Sequence, residues 1–260
     1  MGKFLFTLLM VCLMESKTYG DIKITPISYS AGGQSLAGWL AYDDSVKEKR
    51  PGIVIYPEWW GLTDYPKSRA KQLAELGYVA FAADMYGDGK TTDDPKEAGA
   101  WSSAVKGDDK MLVDRAAAAM DVLRKDSHVD DSQIGAIGYC FGGTVALELA
   151  RSGADFQGLV SFHGGLATDN PAEAGKFKPR VLICTGGLDS FVPKEQVTDF
   201  EDEMTKAGAD WQVITYGGAH HAFTNPAADS HGIPNIAYNA SADKRSFAAM
   251  QAFFKETFGK

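Results

Sequence analysis

An apolar run, Ile134-Gly135-Ala136-Ile137, leads straight into Gly138-Tyr139-Cys140-Phe141-Gly142-Gly143, and this junction constrains the fold more than any other stretch of the chain. A buried strand that ends in so tight a turn, and passes at once into a helix, needs residues without a Cβ where the two approach. Gly138 and Gly142, two positions on either side of Cys140, meet that need. The pattern is that of a nucleophile elbow with a thiol at its apex, where a strained backbone pushes the side chain out of the turn. Cys140 is therefore the leading candidate nucleophile.

The rest of the chain supplies a sheet for such an elbow to sit on. Residues 22–43 alternate apolar and polar around Ser30-Ala31-Gly32-Gly33-Gln34, the pattern of an antiparallel edge hairpin. Continuous apolar runs follow at Ile53–Tyr56, Tyr78–Ala83, Leu159–Phe162 and Val181–Cys184, and Trp211–Tyr216 reads as the last strand. Between them, helical spacing is expected over Asp64–Leu76 with Gly77 as the stop, around Leu112–Leu123, from Gly142 to Arg151, and over Lys194–Lys206. A final helix carries Phe247, Met250, Phe253 and Phe254, capped by Asn239 or Ser241. Residues 87–109, rich in Gly, Asp and Thr, read as a surface excursion that shapes a substrate rim. Strands alternating with helices predict an α/β fold, a mostly parallel sheet of about eight strands with helices on both faces. No repeat, low-complexity tract or linker interrupts residues 21–260, so one domain is expected there.

The first twenty residues have a different character. Lys3, the greasy stretch Phe4–Met14 and a polar segment ending at Gly20 match a secretory signal peptide, too short to anchor comfortably across a bilayer. The expectation is export to a periplasm or the medium, with an uncleaved, membrane-attached or cytoplasmic form as the alternative. Removing residues 1–20 takes away Lys3, Lys17 and Glu15 and moves the net charge from −8 to −9. That balance repels phosphate backbones, so nucleic acid is not an expected partner. Of the cysteines that remain, Cys184 lies inside an apolar run as a small hydrophobe, and both it and Cys140 are expected to be free thiols.

Ligands of such sheets bind beyond the carboxyl ends of the strands. Four loops there carry polar groups: Pro57-Glu58-Trp59-Trp60-Gly61, the elbow, Gly186-Gly187-Leu188-Asp189, and Gly217-Gly218-Ala219-His220-His221. The last three supply thiol, carboxylate and imidazole in that chain order, the order of a triad on an α/β-hydrolase sheet. A thiol needs an adjacent imidazole to take its proton, and the imidazole needs a carboxylate to fix its tautomer. The histidines lack metal-ligand spacing with carboxylates, and Gly186-Gly187 is too short for a dinucleotide loop, so no metal and no cofactor is expected.

Nearly all of residues 22–258 resembles the dienelactone hydrolase family of the α/β hydrolases. The stretches that carry the resemblance are Pro57-Glu58 with Gly61-Leu62, Ala83-Asp84-Met85-Tyr86-Gly87, and the cysteine elbow. Gly187-Leu188-Asp189-Ser190-Phe191-Val192-Pro193 and His221-Ala222-Phe223-Thr224-Asn225-Pro226 complete it. The resemblance implies Cys140 as nucleophile, Asp189 as acid and His221, rather than its neighbour His220, as base. It implies further that Glu58 contacts the resting thiol and is displaced when substrate enters, the alternative being a rim carboxylate. The oxyanion would be held by the backbone N–H groups of Trp59 and Phe141.

Substrate-rim candidates are Trp60, Tyr86, Lys90, Phe223 and Asn225, although the aromatic residues among them read equally well as core. His163 reads as a hydrogen-bonded structural histidine, His231 as a surface residue, and Asp84 as a structural hydrogen-bonding group. Relatives acting on dienelactone hold its carboxylate with rim arginines. Here Gly87-Asp88-Gly89-Lys90 and Asn225 offer none, and Lys90 is a less directional charge. The function implied is carboxymethylenebutenolidase-like hydrolysis of an activated ester or lactone, a small-molecule substrate, by a monomer or small homo-oligomer. An acyltransferase using the same acyl-enzyme, and a lapsed binding protein of the same fold, remain open alternatives.

Overall fold

In the computed structural model, which describes residues 20–259, the hairpin forms the sheet edge as expected. The signal segment expected over residues 1–20 lies, apart from Gly20, outside the described residues. Strands β1 (Ile22–Ala31) and β2 (Gln34–Asp43) pair antiparallel, Ile22 opposite Asp43 and Ala31 opposite Gln34. Gly32 and Gly33, with φ of +55° and +80°, make the two-residue turn, whose positive φ values match the twist of the flanking strands.

The remaining strands are β3 (Arg50–Tyr56), β4 (Val79–Ala82), β5 (Val129–Tyr139), β6 (Gly158–Phe162), β7 (Arg180–Gly186) and β8 (Trp211–Tyr216). They extend one eight-stranded sheet in the order β1-β2-β4-β3-β5-β6-β7-β8. β2 meets β4 antiparallel, and every pairing from β4 to β8 is parallel. The chain progresses outward in opposite directions from β3 and β5, so the crevice beyond their carboxyl ends is the topological switch point where a ligand site is expected.

Among the described residues six helices cover the sheet: α1 (Asp64–Glu75), α2 (Pro95–Lys106), α3 (Asp109–Lys125), α4 (Phe141–Arg151), α5 (Lys194–Ala207) and α6 (Ala240–Thr257). On one face Leu73 of α1 and Met250 and Phe254 of α6 pack with Ile53, Ile55 and Val160. On the other, Leu112 and Met120 of α3, Val145 of α4 and Phe200 of α5 pack with Val54 and Ala136. Each fully buried Leu or Phe of these layers stabilises the fold by about 1.5–3 kcal/mol relative to exposure. Asn239 is the residue that caps α6, its side chain accepting the Ala242 N–H at 3.1 Å.

The excursion expected over 87–109 is a correction: it contains α2. Asp94 accepts the Lys96 N–H at 2.9 Å and Pro95 occupies the first helical turn, an arrangement suited to both. The helix buries Ala98, Ser102 and Val105 at helical spacing, but two of these three are too small or polar to register as an apolar stripe.

Candidate active site

The elbow has the strain its sequence predicts. Cys140 adopts φ +52°, ψ −118°, directly between β5 and α4. A Cβ on Gly138 would stand 2.0 Å from the Gly142 carbonyl oxygen, and one on Gly142 would stand 2.1 Å from that of Tyr56. Only glycine lets strand and helix close to this distance. The Cys140 N–H donates to the Phe162 carbonyl at 2.9 Å and to Nδ1 of His163 at 3.1 Å. Strain is concentrated here: Cys140, His163 (φ +43°) and Ala222 (φ +57°) are all non-glycine residues in left-handed backbone.

Three loops then bring thiol, imidazole and carboxylate into line. Nε2 of His221 lies 3.0 Å from Cys140 Sγ, and its Nδ1 lies 2.9 Å from Oδ2 of Asp189. The other Asp189 oxygen accepts the N–H groups of Phe191 and Val192 at 2.9 and 3.2 Å, which leaves Oδ2 aimed at the ring. Two backbone bonds tie the acid loop to the histidine loop, from Gly187 N–H to the Tyr216 carbonyl and from Leu188 N–H to that of Ala219. Burial works against a charge on His221, but the facing Cys140 sulfur and the Asp189 hydrogen bond outweigh it and raise its pKa to about 10. His220 joins neither partner, and its buried Nδ1 has none.

Glu58 stands in the loop after β3, buried at 3% exposure, and accepts a 2.6 Å hydrogen bond from Nδ2 of Asn225. Burial raises its pKa to about 7 against the opposing pull of Asn225 and His221. Glu58 is hydrogen-bonded to Asn225, the Cys140 sulfur faces His221, and both residues line one cavity.

Comparison with known proteins identifies the family. The family model of the dienelactone hydrolase family matches residues 36–258. The chain belongs to the dienelactone hydrolase family. Like the family, it is a hydrolase of ester or lactone bonds. A solved structure named m3DLH is 42% identical, with a TM-score of 0.88 over 92% of this chain and 99% of its own. A dienelactone hydrolase-like promiscuous phosphotriesterase from metagenomic libraries is 41% identical with the same TM-score and coverage. Protein usf of Aquifex pyrophilus is 29% identical over 236 residues, covering 88% of this chain and 97% of its own.

Around the Cys140 cluster the rim candidates separate. Trp59 and Trp60 line cavities at Cys140, as does Asn225. Phe141 opens α4, so its N–H has no partner within the helix. Tyr86 stacks on Phe141 at 5.7 Å and donates from its hydroxyl to the Trp59 carbonyl at 3.0 Å, bracing the loop from behind. Lys90 is exposed and outside the lining of either cavity. Its carbonyl lies so close to Gly61 that a Cβ there would come within 2.1 Å of it.

Phe223 is no rim residue: its ring is fully buried between Tyr216 and His163, because the His221 loop turns it inward onto the sheet. Asp84 and His163 have the structural roles expected, Asp84 accepting N–H groups of Ala37, Tyr86, Gly87 and Gly89. Cys184 is a fully buried free thiol whose pKa burial pushes up to about 12.

His231, read as surface, stacks on Trp60 with centroids 4.0 Å apart and planes 12° from parallel. A polar loop with no periodicity offered no signal for that placement. Phe191, 49% exposed, lies with its ring 4.9 Å from that of His221, a contact that its place in the Gly187–Pro193 stretch did not reveal.

Proposed function

We propose that this hydrolase cleaves activated esters or lactones through a thioester on Cys140. The observation that carries the reading is the unbroken Cys140–His221–Asp189 line, at 3.0 and 2.9 Å. His221 takes the thiol proton and the sulfur attacks the carbonyl carbon. The developing oxyanion is held by the N–H groups of Trp59 and Phe141, the latter aided by the N-terminus of α4. As the C–O bond breaks, the leaving oxygen takes the proton from His221. Water, deprotonated by the same imidazole, then cleaves the thioester and restores the thiol.

Thiolate is expelled from a tetrahedral intermediate more readily than an ordinary alkoxide. Substrates with stabilised leaving groups, such as enol-lactones and aryl esters, therefore suit this nucleophile. In this reading Glu58 is the gate: its carboxylate, held by Asn225, would swing toward the sulfur to close the site and away from it to open it. Without a guanidinium at either expected rim position, an anionic lactone lacks the bidentate partner that would select it. Export after loss of residues 1–20 belongs to the same proposal, tested by the intact mass of protein recovered outside the cytoplasm.

The deciding experiment is mass spectrometry of Cys140 during turnover of an aryl-ester panel that includes one aryl phosphotriester. The expected result is an acyl adduct on Cys140 that decays at the turnover rate, with hydrolysis abolished in Cys140→Ala. Wild-type activity in that variant sinks the mechanism. Transfer of the acyl group to added alcohol in preference to water would identify an acyltransferase, and absence of both adduct and turnover across the panel a binding protein.

A further inference from the structure

The sulfur of Cys140 stands where two cavities of unequal size meet. Trp59, Cys140, Phe191 and His221 line both. The smaller has a volume of about 70 Å³ and is walled by Trp60, His231, Ala222, Ala228 and Ile236. The larger, about 290 Å³, lies between Ser102, Ser103 and Lys106 of α2 and Thr144 and Gly165 on the elbow side. Lys106 and Thr144 also line a further cavity of about 120 Å³ along the surface, so the larger chamber continues outward.

We propose that the small chamber holds the acyl group and the large chamber the leaving group, with the Trp60–His231 stack limiting acyl length. The protein would then prefer short-chain acyl esters of bulky alcohols or phenols. This rests on the thioester reading above. In the first half-reaction the C–S bond forms as the C–O bond breaks, and the alcohol, protonated by His221, must depart before water takes its place. The outward path past Lys106 and Thr144 gives it an exit. The acyl group stays covalently held until water cleaves the thioester, so it needs a retaining wall rather than an exit. The stacked rings, 4.0 Å between centroids, provide one. A cavity of about 150 Å³ accommodates benzene, so roughly half that volume suits only a few heavy atoms. His231 is thus a specificity-determining residue, placed over the site by the short 3₁₀ turn Ala228–His231.

The test is a series of 4-nitrophenyl esters, acetyl, butyryl and octanoyl, assayed with wild type, His231→Ala and Ala228→Val, with thioester formation followed by mass spectrometry. In wild type, kcat/KM is expected to fall at least about tenfold from butyryl to octanoyl, and His231→Ala to recover about tenfold of that ratio. Ala228→Val, which narrows the chamber, is expected to lower butyryl relative to acetyl. If His231→Ala folds poorly, Ile236→Ala opens the same wall. An unchanged chain-length profile in variants that still form the thioester overturns the proposal. So does a change in leaving-group preference at constant acetyl, which would reverse the chambers. Absence of any thioester in wild type is a distinct outcome that removes the underlying mechanism as well.

Discussion

Nδ1 of His163 accepts the backbone N–H of Cys140 at 3.1 Å, and this bond links the strained elbow to the helices behind it. Because Nδ1 accepts, the ring proton sits on Nε2, which donates to Thr224 Oγ1 at 2.7 Å. The Tyr65 hydroxyl of α1 donates to the same oxygen at 2.7 Å. Arg69 donates to the Thr224 carbonyl at 2.7 Å and pairs with Asp243 of α6.

Burial first, then the positive neighbours His221 and Arg69, push the pKa of His163 well below its ordinary value. In the unfolded chain a histidine titrates near about 6.5. As pH falls through that value the unfolded chain gains a proton that the folded ring refuses, and stability is lost. His163→Gln removes this penalty. Urea denaturation is expected to show the variant gaining on wild type between pH 7 and pH 5. An equal pH slope in both proteins would refute the assignment.

Glu58 titrates in the opposite sense. Its folded pKa, about 7, lies above the unfolded carboxylate value, so its contribution is full below about 4.5 and is lost as pH rises through 7. Glu58→Gln keeps an acceptor for Asn225 and carries no charge. The variant is expected to gain stability over wild type from pH 5 to pH 8, by up to about 3 kcal/mol. Thermal melts at the two pH values measure the difference, and a constant offset would refute it.

Asp189→Asn replaces the acceptor that fixes the His221 tautomer. In serine-nucleophile triads the corresponding change costs about 10⁴-fold in kcat. A fall of at least about 10²-fold is expected here with KM little changed, because an imidazole drawn to a thiol needs less orienting help. Steady-state hydrolysis of an aryl ester reads it directly. A variant within threefold of wild type would dismiss Asp189 as the orienting acid.

Arg69→Met tests the network itself. The change leaves Asp243 without its cation and the Thr224 carbonyl without its donor, and breaking a buried pair on one side costs about 3–5 kcal/mol. Chemical denaturation is expected to register a loss of that order. A loss below about 1 kcal/mol would show that the pair contributes nothing net.

The elbow was legible because its demand is local. Close approach of β5 and α4 excludes a Cβ at Gly138 and Gly142, and that sterics is written in consecutive residues. The order of Cys140, Asp189 and His221 in three loops after strands was legible for a related reason. Apolar runs mark the strands, and a parallel sheet gathers their carboxyl ends on one side. Among the described residues, the eight strands and five of the six helices follow from the same periodicities.

Tertiary structure decided the rest. α2 was hidden because its inward face is partly alanine and serine. Phe223 sits inside the sheet layer and His231 over Trp60 because of where their loops turn, which no periodicity records. Glu58 and Asn225 are 167 residues apart, and their 2.6 Å bond exists only once β3 and the His221 loop share an end of the sheet. The sequence alone determined which groups could react, since covalent identity and local sterics are carried along the chain. The room around the sulfur was decided by contacts between distant loops, and such contacts leave no local trace.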